Sequence, residues 1–325
     1  MRGTGPADGA PVTITFGGTC TAAGTSGYPI ARTSPSDVND TANYSGGALP
    51  GNGDTLVFEN SAVPVLYNLA TLTSLTVSII RRGSHAAAIG LPDFNPAGYR
   101  EYRATHFETA GTSLQIVDGG SANYCRIRST AGSAVTAVCT TAEGVNPGQL
   151  NQEGIEIYGT PASSVLNSSG ASVAFAPLTA QTGTLATVRV TGGSLRTGAG
   201  ATTTTVSIYS GASAALASSV TTLTVDRNAS VTVLAAAATT TLVIESGTVT
   251  WVSTGALGTV TVGSEATLDV SNAPSTVAVT GITIYEGCTV NDPNERLVKP
   301  VACTVVGELS KMTLDFGTSF TLTVS

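Results

Sequence analysis

The same apolar-polar-apolar triplet recurs six times in the C-terminal half of the chain, as Val188-Arg189-Val190, Val206-Ser207-Ile208, Leu223-Thr224-Val225, Leu242-Val243-Ile244, Val260-Thr261-Val262 and Ile282-Thr283-Ile284. Successive triplets start 18, 17, 19, 18 and 22 residues apart. Alternation of this kind marks a strand with one buried face. Three residues after each triplet stands a turn position, occupied by Gly193, Gly211, Asn228, Gly247, Glu265 and Gly287, so five of the six are Gly or Asn. Those residue types tolerate positive φ. A strand and a left-handed bend repeated about every 18 residues predict a solenoid, in which each coil buries its apolar face against its neighbours. With strands stacked at the ~4.8 Å interstrand spacing, six coils make a rod segment on the order of 29 Å long. The handedness of parallel crossovers makes the expected fold an all-β, right-handed parallel β-helix.

The pattern continues upstream. Leu75-Thr76-Val77 resembles the later triplets, Leu114-Gln115-Ile116 with Gly119 fits them fully, and Ile155-Glu156-Ile157 with Gly159 comes close. Intervals at 83–110 and 139–154 interrupt the spacing, and they are expected as insertions on one side of the solenoid, where repeat folds carry binding features. The solenoid is expected over 54–300. Residues 1–53 form an irregular Gly- and Pro-rich N-terminal arm with a strand-like run at 12–16, and dense turn chemistry at 45–54 leads into the first coil. The arm is expected to anchor the protein on a neighbour. At the other end, in 301–325, alternating runs at 312–316 and 320–324 flank Gly317 and are expected as a hairpin capping the last open edge.

Composition supports this picture. Only 11% of the residues are charged, against about 25% in ordinary domains, and many small and β-branched residues favour short strands over helices. A net charge of −7 argues against a nucleic-acid partner held through its phosphates. No apolar run approaches the ~18 residues of a membrane span, so no membrane partner is expected. The first residues lack the apolar core of a signal peptide, and no export is expected. The five cysteines form no C-x-x-C pair and are expected as buried free thiols, with Cys288 and Cys303 the pair that adjacent coils are best placed to bring together.

Basic residues are unevenly placed. Arg81, Arg82, Arg100, Arg103, Arg126 and Arg128 fall within 48 positions. They are expected either as a solvated face or intramolecular partners of Glu101, Glu108 and Asp118, or as a surface that docks on an acidic protein. The stretch 91–107 adds Phe94, Tyr99, Tyr102, His106 and Phe107 to an aromatic-poor chain. Tyr and Arg bury large areas with polar tips and dominate interface hot spots. The stretch is expected as a cap or lateral flap of the first coils, as a docking surface, or as both, and the candidate docking surface is Arg81, Arg82, Tyr99, Arg100, Tyr102 and Arg103.

Catalytic groupings are weak. Asp226 and Glu245 each follow a triplet and would sit on adjacent coils, near the ~5 Å separation of retaining glycosidase carboxyls. Neither has a nearby His or an aromatic sugar platform, and both are expected as surface residues. The segment Asp37-Val38-Asn39-Asp40 is expected as a cap or turn. His85 and His106 have no ligand-spaced Cys or carboxylate. No nucleophile elbow, P-loop or dinucleotide fingerprint is present. No catalytic, metal or cofactor residues are assigned.

The order of features resembles a group of proteins encoded in tailed-bacteriophage genomes and prophages. The resemblance rests on P-x-x-G-D before the first strand (Pro50 to Asp54), T-S-L-T-V (Thr73 to Val77), I-G-L-P (Ile89 to Pro92), a Y-x-E-Y-R-type run (Tyr99 to Arg103), T-T-L-x-V rungs, V-N-D-P (Val290 to Pro293) and T-L-D-F (Thr313 to Phe316). It covers most of 45–325. It implies a non-enzymatic virion structural protein, a capsid decoration, cement or spike protein assembled in the host cytoplasm. Its partners would be the major capsid protein, other virion proteins or a second copy. Two other classes compete: a receptor-binding tail spike that binds or cleaves host polysaccharide, and a bacterial surface adhesin, which needs an export signal.

Overall fold

The computed structural model describes residues 36–85, 87–91, 103–111, 113–117, 124–130, 135–139, 154–298 and 303–318, together with the backbone of Thr13–Thr15 and Thr19–Thr21. These residues form a parallel β-solenoid with almost no helix. Two long sheets run its length. One has twelve strands, from Thr55–Phe58 at one edge to Cys303–Val306 at the other; the second has eleven, from Phe107–Thr109 to Thr313–Asp315. Every pairing between neighbours in these sheets is parallel. The two short strands Thr13–Thr15 and Thr19–Thr21 pair antiparallel with each other.

The triplets are the inward rungs. Val188, Val206, Leu223, Leu242, Val260 and Ile282 stand in register, as do Val190, Ile208, Val225, Ile244, Val262 and Ile284. All twelve are buried. The facing sheet answers with Leu195, Ala214, Val231, Val249, Leu268 and Val290. The core is thus a set of aliphatic ladders, each buried side chain covered above and below by its counterparts. At about 25 cal/mol per Å² of apolar surface removed from water, this stacking is the main driving force for the fold.

The bends follow the sequence rule with one exception. Gly193, Gly211, Asn228 and Gly287 have φ between 61° and 88°, and Glu265 adopts φ 64° despite its side chain. Gly247 is different: it lies inside the strand Gly247–Trp251, where a Cβ would come within 2.6 Å of the Ala229 carbonyl oxygen. Glycine is required there for close backbone approach between coils.

At the C-terminal end, Thr313–Asp315 pairs in parallel with Thr289–Asn291 and adds a rung to the solenoid. The other half of the expected capping hairpin, 320–324, lies outside the described residues. Cys288 and Cys303 are free thiols, the first buried, and Cys125 and Cys139 are also buried.

Candidate attachment site at the N-terminal end

The N-terminal end is where the chain departs from its period. Ser36 to Val38 lies along the first coil: the Ser36 carbonyl accepts from the amides of Leu66 and Tyr67 at 3.0 and 3.1 Å, and the Val38 amide donates to the Tyr67 carbonyl. Residues 36–53, expected as the end of an arm reaching for a neighbour, thus begin by pairing with the chain's own solenoid. The Asp37 carboxylate accepts from Asn68 Nδ2 at 2.7 Å and from the Asn39 amide at 2.8 Å. Asp40 caps the short 3-10 turn Thr41–Asn43 through the Ala42 amide. The segment 37–40 is the cap and turn its sequence suggested. Tyr44 donates to the Val38 carbonyl at 2.7 Å. Burial first, and then the charge of Asp37, push its phenol up to about 12, so it remains a donor.

Beyond this segment the chain crosses the mouth of the solenoid before entering Thr55–Phe58. Between the crossing and that strand lies a cavity of about 720 Å³, floored by Leu56, Phe58 and Phe107 and walled by Tyr44, Leu49 and Pro50. Leu49 and Val57 are 38% and 44% exposed, unusual for large apolar side chains in this chain. The described lining residues include Asp37, Asp54 and Glu59 and no Lys or Arg.

The expected docking residues do not share one surface. Arg81 is a correction. It is fully buried, and its strand register with Phe58 places it on the same inward face as Ile79, two residues before it. Its Nη2 donates to the carbonyls of His85 and Ala87 at 3.3 and 3.0 Å. The alternation of the strand, not the charge of the residue, decided which way it faces. Arg82, one position on, is exposed and pairs with Glu59 at 3.0 Å. The Arg103 guanidinium lies 5.4 Å from the centre of the Tyr67 ring, a cation–π contact. Tyr99, Arg100 and Tyr102 lie outside the described residues.

On the outward side of the eleven-stranded sheet the structure gathers a buried polar cluster. His106 Nε2 lies 2.9 Å from Glu156 Oε1, and both side chains are 1% exposed. Arg126, in register with Glu156, places its Nε 3.6 Å from Oε2, and Gln181 Nε2 donates to Oε1 at 2.7 Å. Arg126 also donates to the Leu91 carbonyl and stacks on Tyr124. Burial pushes the Glu156 carboxyl up, but the hydrogen bond and charge of His106, the charge of Arg126 and the Gln181 hydrogen bond together outweigh it and hold the pKa below the usual carboxylate value. One register step away, Arg128 pairs with Glu108 at 2.8 Å. Arg128 thus takes Glu108, one of its expected partners, while Arg126 pairs with Glu156, which was not among them. The sequence marked His106, Arg126 and Glu108; it gave no sign of Glu156 and Gln181 as their partners, because only the coil register brings residues 106, 126 and 156 together.

The two carboxylates of the regular rungs have different surroundings. Asp226 Oδ1 accepts from the Arg227 amide and from Ser246 Oγ, both at 2.7 Å, and so fastens a bend, while Glu245 is exposed. Among the described residues, no group of three or more His, Cys, Asp or Glu is placed to hold a metal ion. No helix among them is long and apolar enough to cross a membrane. Comparison with protein-family models, curated proteins and solved structures gave no match.

Proposed function

We propose that the protein is a non-enzymatic structural rod of a bacteriophage virion, a capsid decoration, cement or spike protein attached near its N-terminal end. The observation that carries this reading is the uninterrupted ladder from Gly183 to Tyr285, whose outward face repeats small uncharged side chains. Thr187, Thr205, Thr222, Thr241 and Thr259 stand in one register row along it. Such a face gives length and rigidity, and the ordered stack of nonlocal pairings resists unfolding and proteolysis. The irregular features cluster towards the other end: the cavity, the acidic lining and the buried charges. The resemblance of residues 45–325 to phage-encoded proteins supplies the virion context.

The test is location. Antibody-gold electron microscopy of particles from the phage or prophage that encodes the chain should decorate intact virions at fixed positions. Label confined to particle-free lysate would overturn the reading, as would Asp226- or Glu245-dependent release of reducing ends from host polysaccharide.

A further inference from the structure

We propose that the mouth of the solenoid is a strand-acceptor site, which takes an extended segment of a partner protein with alternating apolar side chains and a basic residue. Among the described residues no strand pairs with the outer edge of Thr55–Phe58. The Asp54 carbonyl accepts from the Ser78 amide. In a parallel ladder alternate residues bond to the same neighbour, so the N–H and C=O groups of Thr55 and Val57 point away from the sheet, towards the cavity. An open edge of this kind is a template for strand addition. Inward side chains of an added strand would continue the stack over Leu56 and Phe58 and fill the cavity above its apolar floor. Asp37 is buried on Asn68 and the Asn39 amide, and Glu59 is shared with Arg82, so the exposed Asp54 leads the negative charge of a described lining without cations and selects a basic residue in the incoming strand.

A second copy docked head to tail is disfavoured by charge. Its last described rungs carry Glu286 and Glu308, both on Lys311, and Asp315, which would bring acidic groups to an acidic mouth. The inference deepens the reading of the protein as an attached rod and names the chemistry of the attachment.

The full chain should bind a fluorescein-labelled hexapeptide of alternating valine and threonine with one lysine, saturably, by fluorescence anisotropy. Val57→Pro, which removes an outward amide at an edge position where proline is tolerated, should weaken binding by about tenfold or more while leaving the thermal melt cooperative. Glu59→Lys should also weaken it, and replacing the peptide's lysine by glutamate should restore binding to that variant. Absence of saturable binding to the full chain overturns the proposal, and so does binding that neither substitution changes. Concentration-dependent head-to-tail oligomers that Val57→Pro abolishes would assign the edge to a second copy and overturn it too. Virions that carry the protein while the peptide fails to bind sink this inference alone; peptide binding without virion labelling sinks the virion reading alone.

Discussion

Glu156 Oε1 and His106 Nε2 lie 2.9 Å apart although the residues are separated by 50 positions in the chain. The contact ties the strand Ile155–Tyr158 to the segment entering Phe107–Thr109, across the intervening Cys125–Ser129. Removing the carboxylate strands Arg126 and His106 in a buried site. Glu156→Ala should therefore cost about 3–5 kcal/mol, measured by denaturant unfolding at neutral pH.

The same carboxylate predicts an acid limb. Its folded-state pKa lies below the unfolded value of about 4.5, so its contribution is complete above that value. It is lost as pH falls from there through the depressed folded value, because the unfolded chain binds the proton first. Glu156→Gln should flatten stability against pH in that window relative to the native protein. An unchanged slope would show that the pair does not govern acid stability.

His85 predicts a second and higher window. Its imidazole is 3% exposed, packs 5.7 Å from the Phe58 ring, and neither ring nitrogen has a hydrogen-bond partner. Burial, and then the charge of Arg81, lower its pKa from 6.5 to about 4. The neutral form is therefore favoured in the fold, and stability should decline as pH drops from 6.5 towards 4. His85→Phe should remove that decline, and the imidazole proton resonances should titrate near 4 instead of near 6.5.

Equivalent bends predict opposite responses. A Cβ on Gly193, at φ 74°, would meet the Ala171 carbonyl oxygen at 2.2 Å, so Gly193→Ala should destabilise by several kcal/mol or displace the coil. Glu265 already holds φ 64°, at a left-handed cost of roughly 1–2 kcal/mol. Glu265→Gly should raise stability by about 0.5–1 kcal/mol once glycine's extra chain entropy is subtracted. Thermal melts of the two variants should move in opposite directions.

Trp251 offers an internal reporter. It is the chain's one tryptophan, it is fully buried on an inward rung, and its indole N–H has no partner. Its emission should be blue-shifted in the native state and shift red in the main unfolding transition. Trp251→Ala should cost about 3–5 kcal/mol through the cavity it leaves. Trp251→Phe should cost less, because it removes the orphaned donor along with the lost area.

The sequence by itself determined the strand, its buried face and the coil. Alternation in Leu223-Thr224-Val225 and its five counterparts is local information, since one residue in two must face inward whatever surrounds the strand. The bends were legible for the same reason: Gly193, Gly211, Asn228 and Gly287 are types that accept the left-handed conformation. Glu265 carried no such signal and took the same φ because the ladder on both sides imposes it. The sequence also placed the irregular chemistry outside the regular rungs. It misjudged Arg81, because a charged pair reads as surface until strand phase is counted from Ile79. Only the tertiary structure decided which coil lies against which. That register joined Glu156 and Gln181 to His106 and Arg126, turned Asp226 into a bend fastener, and left the outer edge of Thr55–Phe58 without a strand among the described residues. These are relationships between residues tens of positions apart, fixed by the stacking of whole coils, and no local pattern encodes them.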